Sequence, residues 1–390
     1  MVAGERQLGM GTRALALILV TAGLSGCATT QLSRARKDFY EGDLASATTT
    51  LQDATTADTD HVLLLMERGM VKHASGRHKA SAADWLEAVE TIERLDKVSV
   101  SRQTASFVTS DRVKTFRGFP YERTLLHAFS ALNYFAMALW DDAAVEARNV
   151  IDRLENLNGF PDDAYSRYLA AFCLELIGNA DGARRQYEAA DSLTATLAIT
   201  STGTIIPSSE GKATDEQNRA RSEGAELLCF VSIGRGPDGH GRVRGRGRWG
   251  STPFVEVYAK NELLGRSYAL GNTSMLYDRT QDKLAAIRAA KEISRVVIKE
   301  GLASSVGEDN PALGMLLWIA MFAFEGQPER RWETLPLSLQ VARVKCPDDL
   351  RRVKLVYRGH NGSIQGQEVF STPLTRRRST FVTFARSSPP

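Results

Sequence analysis

Small residues recur in the first half of the chain at a spacing that demands closely paired helices. In ARKDFYEGDLASATTTLQDA, Ala35, Gly42, Ala47 and Ala54 stand seven, five and seven positions apart. The pattern returns 34 residues later as Gly69, Gly76, Ser81 and Ala88, with Leu51 and Trp85 at the equivalent bulky position. A third copy is degenerate (Ala131, Ala138, Ala143, Ala147), and a fourth is clear (Ala171, Gly178, Ala183, Ala190), with Tyr187 as its bulky residue. Small side chains let two helix backbones approach, and one large side chain fills the space beside the contact. A fixed period of this length signals stacked helical hairpins that bury their faces against their neighbours.

The pattern resembles the tetratricopeptide repeat, which implies a helical solenoid over residues 27–193 with a concave groove suited to an extended peptide or a helix. Between the second and third copies, an insertion at about 97–120 breaks the period and reads either as a projecting functional loop or as a linker. Beyond Leu193 the stretch TSTGTIIPSSEGKATDEQNRARSEG is rich in Ser, Thr, Gly and charge, so residues 194–224 read as a linker.

Residues 225–360 carry a different pattern. AELLCFVSIG and the alternating FVEVYAK read as strands, and TQDKLAAIRAAKEISRVVIKEGL reads as a helix. LGMLLWIAMFAF at 313–324 is too short to span a bilayer and reads as a buried helix. LSLQVARV and RRVKLVYRG, joined through KCPDD, read as a hairpin or edge pair, and residues 361–390 as a basic tail around Arg376, Arg377 and Arg378. The expected fold class is α+β, an N-terminal all-α tetratricopeptide-like solenoid followed by a smaller mixed α/β domain.

The N-terminus has the form of an export signal. Arg6 and Arg13 precede a short apolar run that ends in Leu24-Ser25-Gly26-Cys27. These four residues resemble the bacterial lipobox. That resemblance implies a signal peptide over 1–26 and lipidation of Cys27, with palmitate among the acyl chains. Ala28 in place of Asp implies sorting to the outer membrane, facing the periplasm. Two or three acyl chains form an effectively permanent anchor.

An exported chain narrows the remaining choices. A net charge of +3 does not announce a nucleic-acid binder, and an envelope lipoprotein does not meet RNA. The loop GRGPDGHGRVRGRGRWG concentrates Arg235, Arg242, Arg244, Arg246 and Arg248. It suits an anionic envelope partner such as peptidoglycan or a lipid head group, or else a solvated loop. Beyond Cys27, Cys173 reads as a buried thiol, and a disulfide between Cys229 and Cys346 is open on sequence alone. The six histidines show no metal-binding spacing, no nucleophile elbow or phosphate loop is present, and no catalytic residues, metal or cofactor are expected.

Finally, YERTLLHAFSALNYFAMALWDDAAVEARNVI at 121–151 and RRWETLPLSLQVARV at 330–344 resemble a family of uncharacterised bacterial lipoproteins with tetratricopeptide-like N-terminal halves. Within the first run Tyr121, Glu122, Arg123, Asn133, Tyr134, Glu146 and Arg148 are polar or aromatic beyond what a helix pair requires. They read either as an inter-helix network or as a partner-binding patch. Glu146 and Arg148 are two apart and must meet different neighbours. Trp332, Leu335 and Pro336 are expected to dock the last helix on the final strands. The helical groove and the lack of a catalytic motif lead to the expectation of a non-enzymatic scaffold for envelope proteins, and the resemblance implies cell-wall or outer-membrane assembly as its setting. A glycan- or lipid-binding module using the arginine loop is the alternative.

Overall fold

The computed structural model describes residues 30–52, 54, 56, 58–103, 115–208, 224–237, 253–301, 330–371 and 375–387. The expected signal segment with Cys27, the 313–324 run and Arg242, Arg244, Arg246 and Arg248 lie outside the described residues.

Helix α1 covers 30–41. It is followed by α2 (Leu44–Gln52), α3 (His61–Ala74), α4 (His78–Gln103), α5 (Pro120–Ala136), α6 (Trp140–Glu155), α7 (Ala164–Leu176) and α8 (Ala180–Ser192). They pack as successive neighbours, with α3 on α4, α5 on α6 and α7 on α8 as the tightest helix pairs. The repeat positions account for this. Gly69 on α3 lies against the Trp85 indole of α4, where a Cβ would collide with the ring, and Trp85 Nε1 donates to the Met66 carbonyl at 3.2 Å. The second repeat position lies in the turn between paired helices and takes a left-handed backbone, with φ of 86° at Gly42, 71° at Gly76 and 87° at Gly178. The degenerate copy puts Ala138 there at φ 58°, a conformation that costs an L-residue about 1–2 kcal/mol.

The expected insertion is helical in part, because α4 runs on to Gln103, and Phe116 beyond it is buried. The expected linker is also structured. Strands β1 (Leu197–Ile199) and β2 (Ile205–Pro207) form an antiparallel hairpin that puts Ile199 and Ile205 into the core.

The remaining strands are β3 (Ala225–Ile233), β4 (Phe254–Ala259), β5 (Glu262–Arg266), β6 (Tyr268–Asn272), β7 (Ser338–Cys346), β8 (Arg352–Arg358), β9 (Ile364–Ser371), β10 (Thr375–Arg377) and β11 (Thr380–Ser387), with helix α9 (Thr273–Gly301) after β6. They build a five-stranded sheet in the order β10-β11-β3-β7-β6 and a four-stranded sheet in the order β5-β4-β8-β9. Alternation assigns the faces. Leu228, Phe230, Leu339, Val341 and Val382 join the helices in one core, while Leu227, Cys229, Val231, Val344 and Phe381 meet Val255, Val257, Val353 and Leu355 of the other sheet in a second. Helices, five-stranded sheet and four-stranded sheet thus form three layers. The chain divides into a helical part and a strand part, but the helical part shares its core with the sheet.

Two expectations are corrected here, and the open question of a Cys229–Cys346 disulfide is answered. The described part of 361–390 is not a tail: β11 lies between β10 and β3, parallel to β3, because its alternating apolar residues fill both cores. Strands β7 and β8 do not pair with each other but lie in opposite sheets, and the segment Pro347 to Leu350 carries the chain between layers. Cys229 and Cys346 are free thiols. Cys229 is opposite Ala342 while Cys346 is opposite Ala225, an offset of about 13 Å along the strand at ~3.3 Å per residue, beyond disulfide reach.

Candidate ligand cleft

The two sequence runs at 121–151 and 330–344 pack against each other. Pro120 opens α5, and Glu122 turns back so that Oε2 accepts from the Phe119 N–H at 2.7 Å, one half of a capping box. Its Oε1 accepts from the Trp332 N–H at 2.7 Å. Burial pushes the Glu122 carboxyl up to about 7 against the opposing pull of these two N–H groups. The Trp332 ring meets Trp85 and Phe129 edge-on, at centroid distances of 5.9 and 6.1 Å. Trp332 therefore docks α4 and α5, and α9 is held instead by Thr273, whose hydroxyl donates to the Pro336 carbonyl, and by the Arg331 guanidinium over the Tyr277 ring.

Most of the residues singled out on α5 and α6 face inward and form the inter-helix network, not a surface patch. Tyr121 is buried and stacks on Phe119 at 6.1 Å. Arg123, also buried, donates to Asp96 at 2.9 Å and to the Arg117 carbonyl at 2.9 Å, beside a polar cavity of about 150 Å³ that includes Asp152 and Asn158. Glu146 accepts from His127 at 2.7 Å, Tyr134 is half-buried, and Arg148 is exposed. Their inward orientation follows from the closeness of the helices that the small residues permit. Of the arginine loop, Arg235 is described. Its guanidinium lies 5.0 Å over the Tyr40 ring and 3.9 Å from Glu333.

Asn133 leads to a different place. Buried on α5, it donates from Nδ2 to Ser81 Oγ at 2.9 Å, and that hydroxyl donates to the Gly69 carbonyl, which fixes the amide orientation. Its Oδ1 therefore accepts from two imidazoles, His73 Nδ1 at 2.7 Å and His78 Nδ1 at 3.0 Å. Each neutral ring then carries its proton on Nδ1, leaving Nε2 as an acceptor. Neither Nε2 has a hydrogen-bond partner among the described residues. Burial holds the His73 imidazole down to about 4, so it is neutral at pH 7.

Both rings open onto a cleft of about 460 Å³ between the helix layer and the C-terminal ends of β3 and β11 in the five-stranded sheet. Phe39, Tyr40, Phe129, Phe230 and Phe384 supply aromatic walls, and Arg386 of β11 supplies a cation. The Arg386 guanidinium lies 3.6 Å above the Phe39 ring, and its Nη2 donates to the Phe39 carbonyl at 3.2 Å, near the end of α1. Among the described residues no carboxylate comes within ion-pair distance of it, and Glu368, also on the wall, is engaged by the Tyr357 hydroxyl at 3.0 Å. Burial lowers the guanidinium to about 10, partly offset by the nearby Tyr40.

The cleft residues escaped the sequence reading, although each left a trace. His73 and His78 flank the turn HASGRH at Gly76, and Arg386 ends the helix-facing side of TFVTFARS after Val382 and Phe384. Among the described residues no three His, Cys, Asp or Glu side chains converge as metal ligands would, and no helix is long and apolar enough to cross a membrane. No protein-family model matches the chain, and no curated protein matches it significantly.

Proposed function

We propose that this chain is a lipid-anchored envelope protein that acts by binding a partner, with Cys27 as its acylated first residue and the outer membrane as its site. The helical hairpins are tetratricopeptide-like, as the turn glycines and the Gly69–Trp85 contact support. The single observation that carries the binding reading is the aromatic cleft with Arg386 in its wall and, among the described residues, no carboxylate paired to it. A charge taken out of water is costly unless it is compensated. A partner that brings an anion into this cleft supplies that compensation. The function is that of a scaffold, not a catalyst, with cell-wall or outer-membrane assembly as its setting.

A photocrosslinking amino acid at Thr375, on the cleft wall, and at Val145, exposed on α6, tests this in the full chain in its own cells. The expected result is a discrete adduct from position 375 that is absent from 145 and is lost when Cys27→Ala removes the anchor. Labelled palmitate is expected on the wild type and not on Cys27→Ala. Identical adducts from both positions, or an adduct indifferent to the anchor, would refute the proposal.

A further inference from the structure

We infer that the cleft takes the C-terminal end of an apolar extended peptide, its carboxylate on Arg386 and its amide N–H groups on the free Nε2 atoms of His73 and His78. The inference rests on the binding function proposed above and names the class of ligand.

Three observations converge on it. Arg386 has five N–H donors, of which one is used, on the Phe39 carbonyl, and the others have no partner among the described residues. A planar fork of open donors matches a carboxylate in two-point geometry. Next, the Asn133 amide, itself locked through Ser81, holds both imidazoles by Nδ1 at the cleft wall, so that Nε2 is the ring atom left for a ligand. A fatty carboxylate satisfies the cation but brings no donors for these acceptors, and inorganic phosphate has O–H donors but no apolar part for the aromatic wall, whereas a peptide terminus carries carboxylate, N–H groups and apolar side chains together. Last, the half-buried Tyr40 and Phe384 offer ring surface for side chains, with Phe39, Phe129 and Phe230 buried behind them. The volume of about 460 Å³ falls within the ordinary range for small-ligand pockets, enough for a short terminal segment.

The cleft wall also includes Glu368 and Phe370 of β9, an edge strand with no partner on its outer side among the described residues. An extended chain entering here finds unpaired backbone groups beside it, as in recognition by strand addition.

Fluorescein-labelled pentapeptides ending in Leu or Phe, each as free acid and as C-terminal carboxamide, test the inference by polarisation against the full chain in detergent. The free acid is expected to bind about ten-fold or more tightly than the amide, the size of one charge-assisted pair. Arg386→Met is expected to abolish the acid-to-amide ratio and Arg386→Lys to reduce it. A ratio is insensitive to any fraction of unfolded protein, so loss of stability in a variant does not imitate the result. His78→Phe is expected to weaken acid and amide alike, through loss of an acceptor. Equal affinities for acid and amide, a ratio unchanged in Arg386→Met, or tighter binding of dodecanoate than of any peptide would overturn the ligand class. The cleft crosslink from position 375 is a separate readout. A surviving adduct alongside failed peptide binding would remove the peptide and leave the binding function standing.

Discussion

Replacing Glu122 by glutamine tests whether the seam between α5 and the 330–337 segment is built around a buried carboxyl. The folded-state value is raised from 4.5 to about 7. The sign follows from linkage. Below pH 4.5 both folded and unfolded chains hold the proton, and the contribution to stability is at its greatest. Between 4.5 and 7 the unfolded chain has lost its proton while the folded chain keeps it, so stability falls by about 1.4 kcal/mol per pH unit, roughly 3 kcal/mol in all. Above 7 the deficit is constant. The glutamine side chain carries no charge in either state, so this slope disappears in Glu122→Gln. The amide has one acceptor oxygen for the two N–H groups of Phe119 and Trp332, and the N–H left facing its amino group costs about 1–3 kcal/mol at every pH. The variant is therefore expected to be less stable than wild type at pH 5 and equal or more stable at pH 8. Urea unfolding between pH 5 and 8 measures both curves. The buried Asp163 carboxyl, pushed up to about 6 by its own desolvation, titrates in the same window but cancels in the difference. Parallel wild-type and variant curves across this window would refute the reasoning.

Arg343 is buried on β7 and joins Glu226 on β3 at 2.7 Å to Glu175 on α7 at 2.6 Å, so Arg343→Met strands two carboxylates and is expected to cost about 3–5 kcal/mol in urea unfolding, largely recovered when both are changed to glutamine. Ala138→Gly relieves a left-handed backbone worth about 1–2 kcal/mol and gives back about 0.4–1 kcal/mol of unfolded-state entropy, so a net gain of about half a kcal/mol is expected in the same assay. Burial pushes the thiols of Cys173 and Cys229 upward and that of Cys346 up to about 12. Native protein at pH 7.5 is therefore expected to react with a thiol reagent at Cys173, Cys229 and Cys346 only after urea is added, with no disulfide between Cys229 and Cys346 by mass.

What is legible in the sequence is what short-range contacts encode. Ala47, Ala88, Ala131, Ala143, Ala171 and Ala190 are buried where α-helical hairpins touch, and the glycine turns stand where the spacing puts them. Each of these contacts lies within one repeat and leaves a period. The β3–β11 pairing joins Phe230 to Phe384 across most of the C-terminal half, and nothing local announces it. The expected β7–β8 hairpin fails for the same reason: KCPDD has the composition of a tight turn, yet both flanking strands have two apolar faces to bury and find them in different layers. Glu122 and Asn133 are visible as polar residues in an apolar run. Whether they face out or in depends on Trp332 and His73, which the chain brings to them from 210 and 60 positions away.

The location of the cleft follows from the parallel pairing. Because β11 runs beside β3 in the same direction, Arg386 lies opposite Ser232, and both strands end at one edge of the sheet. From that edge β3 continues to Gly234 and Gly236, whose backbone groups bond to Leu337 and Leu335, closing one end of the space. Helix α1 ends at the same edge, with Phe39 beneath the guanidinium, and α3 ends there with His73 in its last turn. The carboxyl ends of helices favour a cation, which explains how Arg386 stays charged with one carbonyl and, among the described residues, no acid beside it. An antiparallel β11 would have carried Arg386 to the opposite edge, away from both imidazoles. The cation and the two imidazoles meet because β11 enters the sheet parallel to β3.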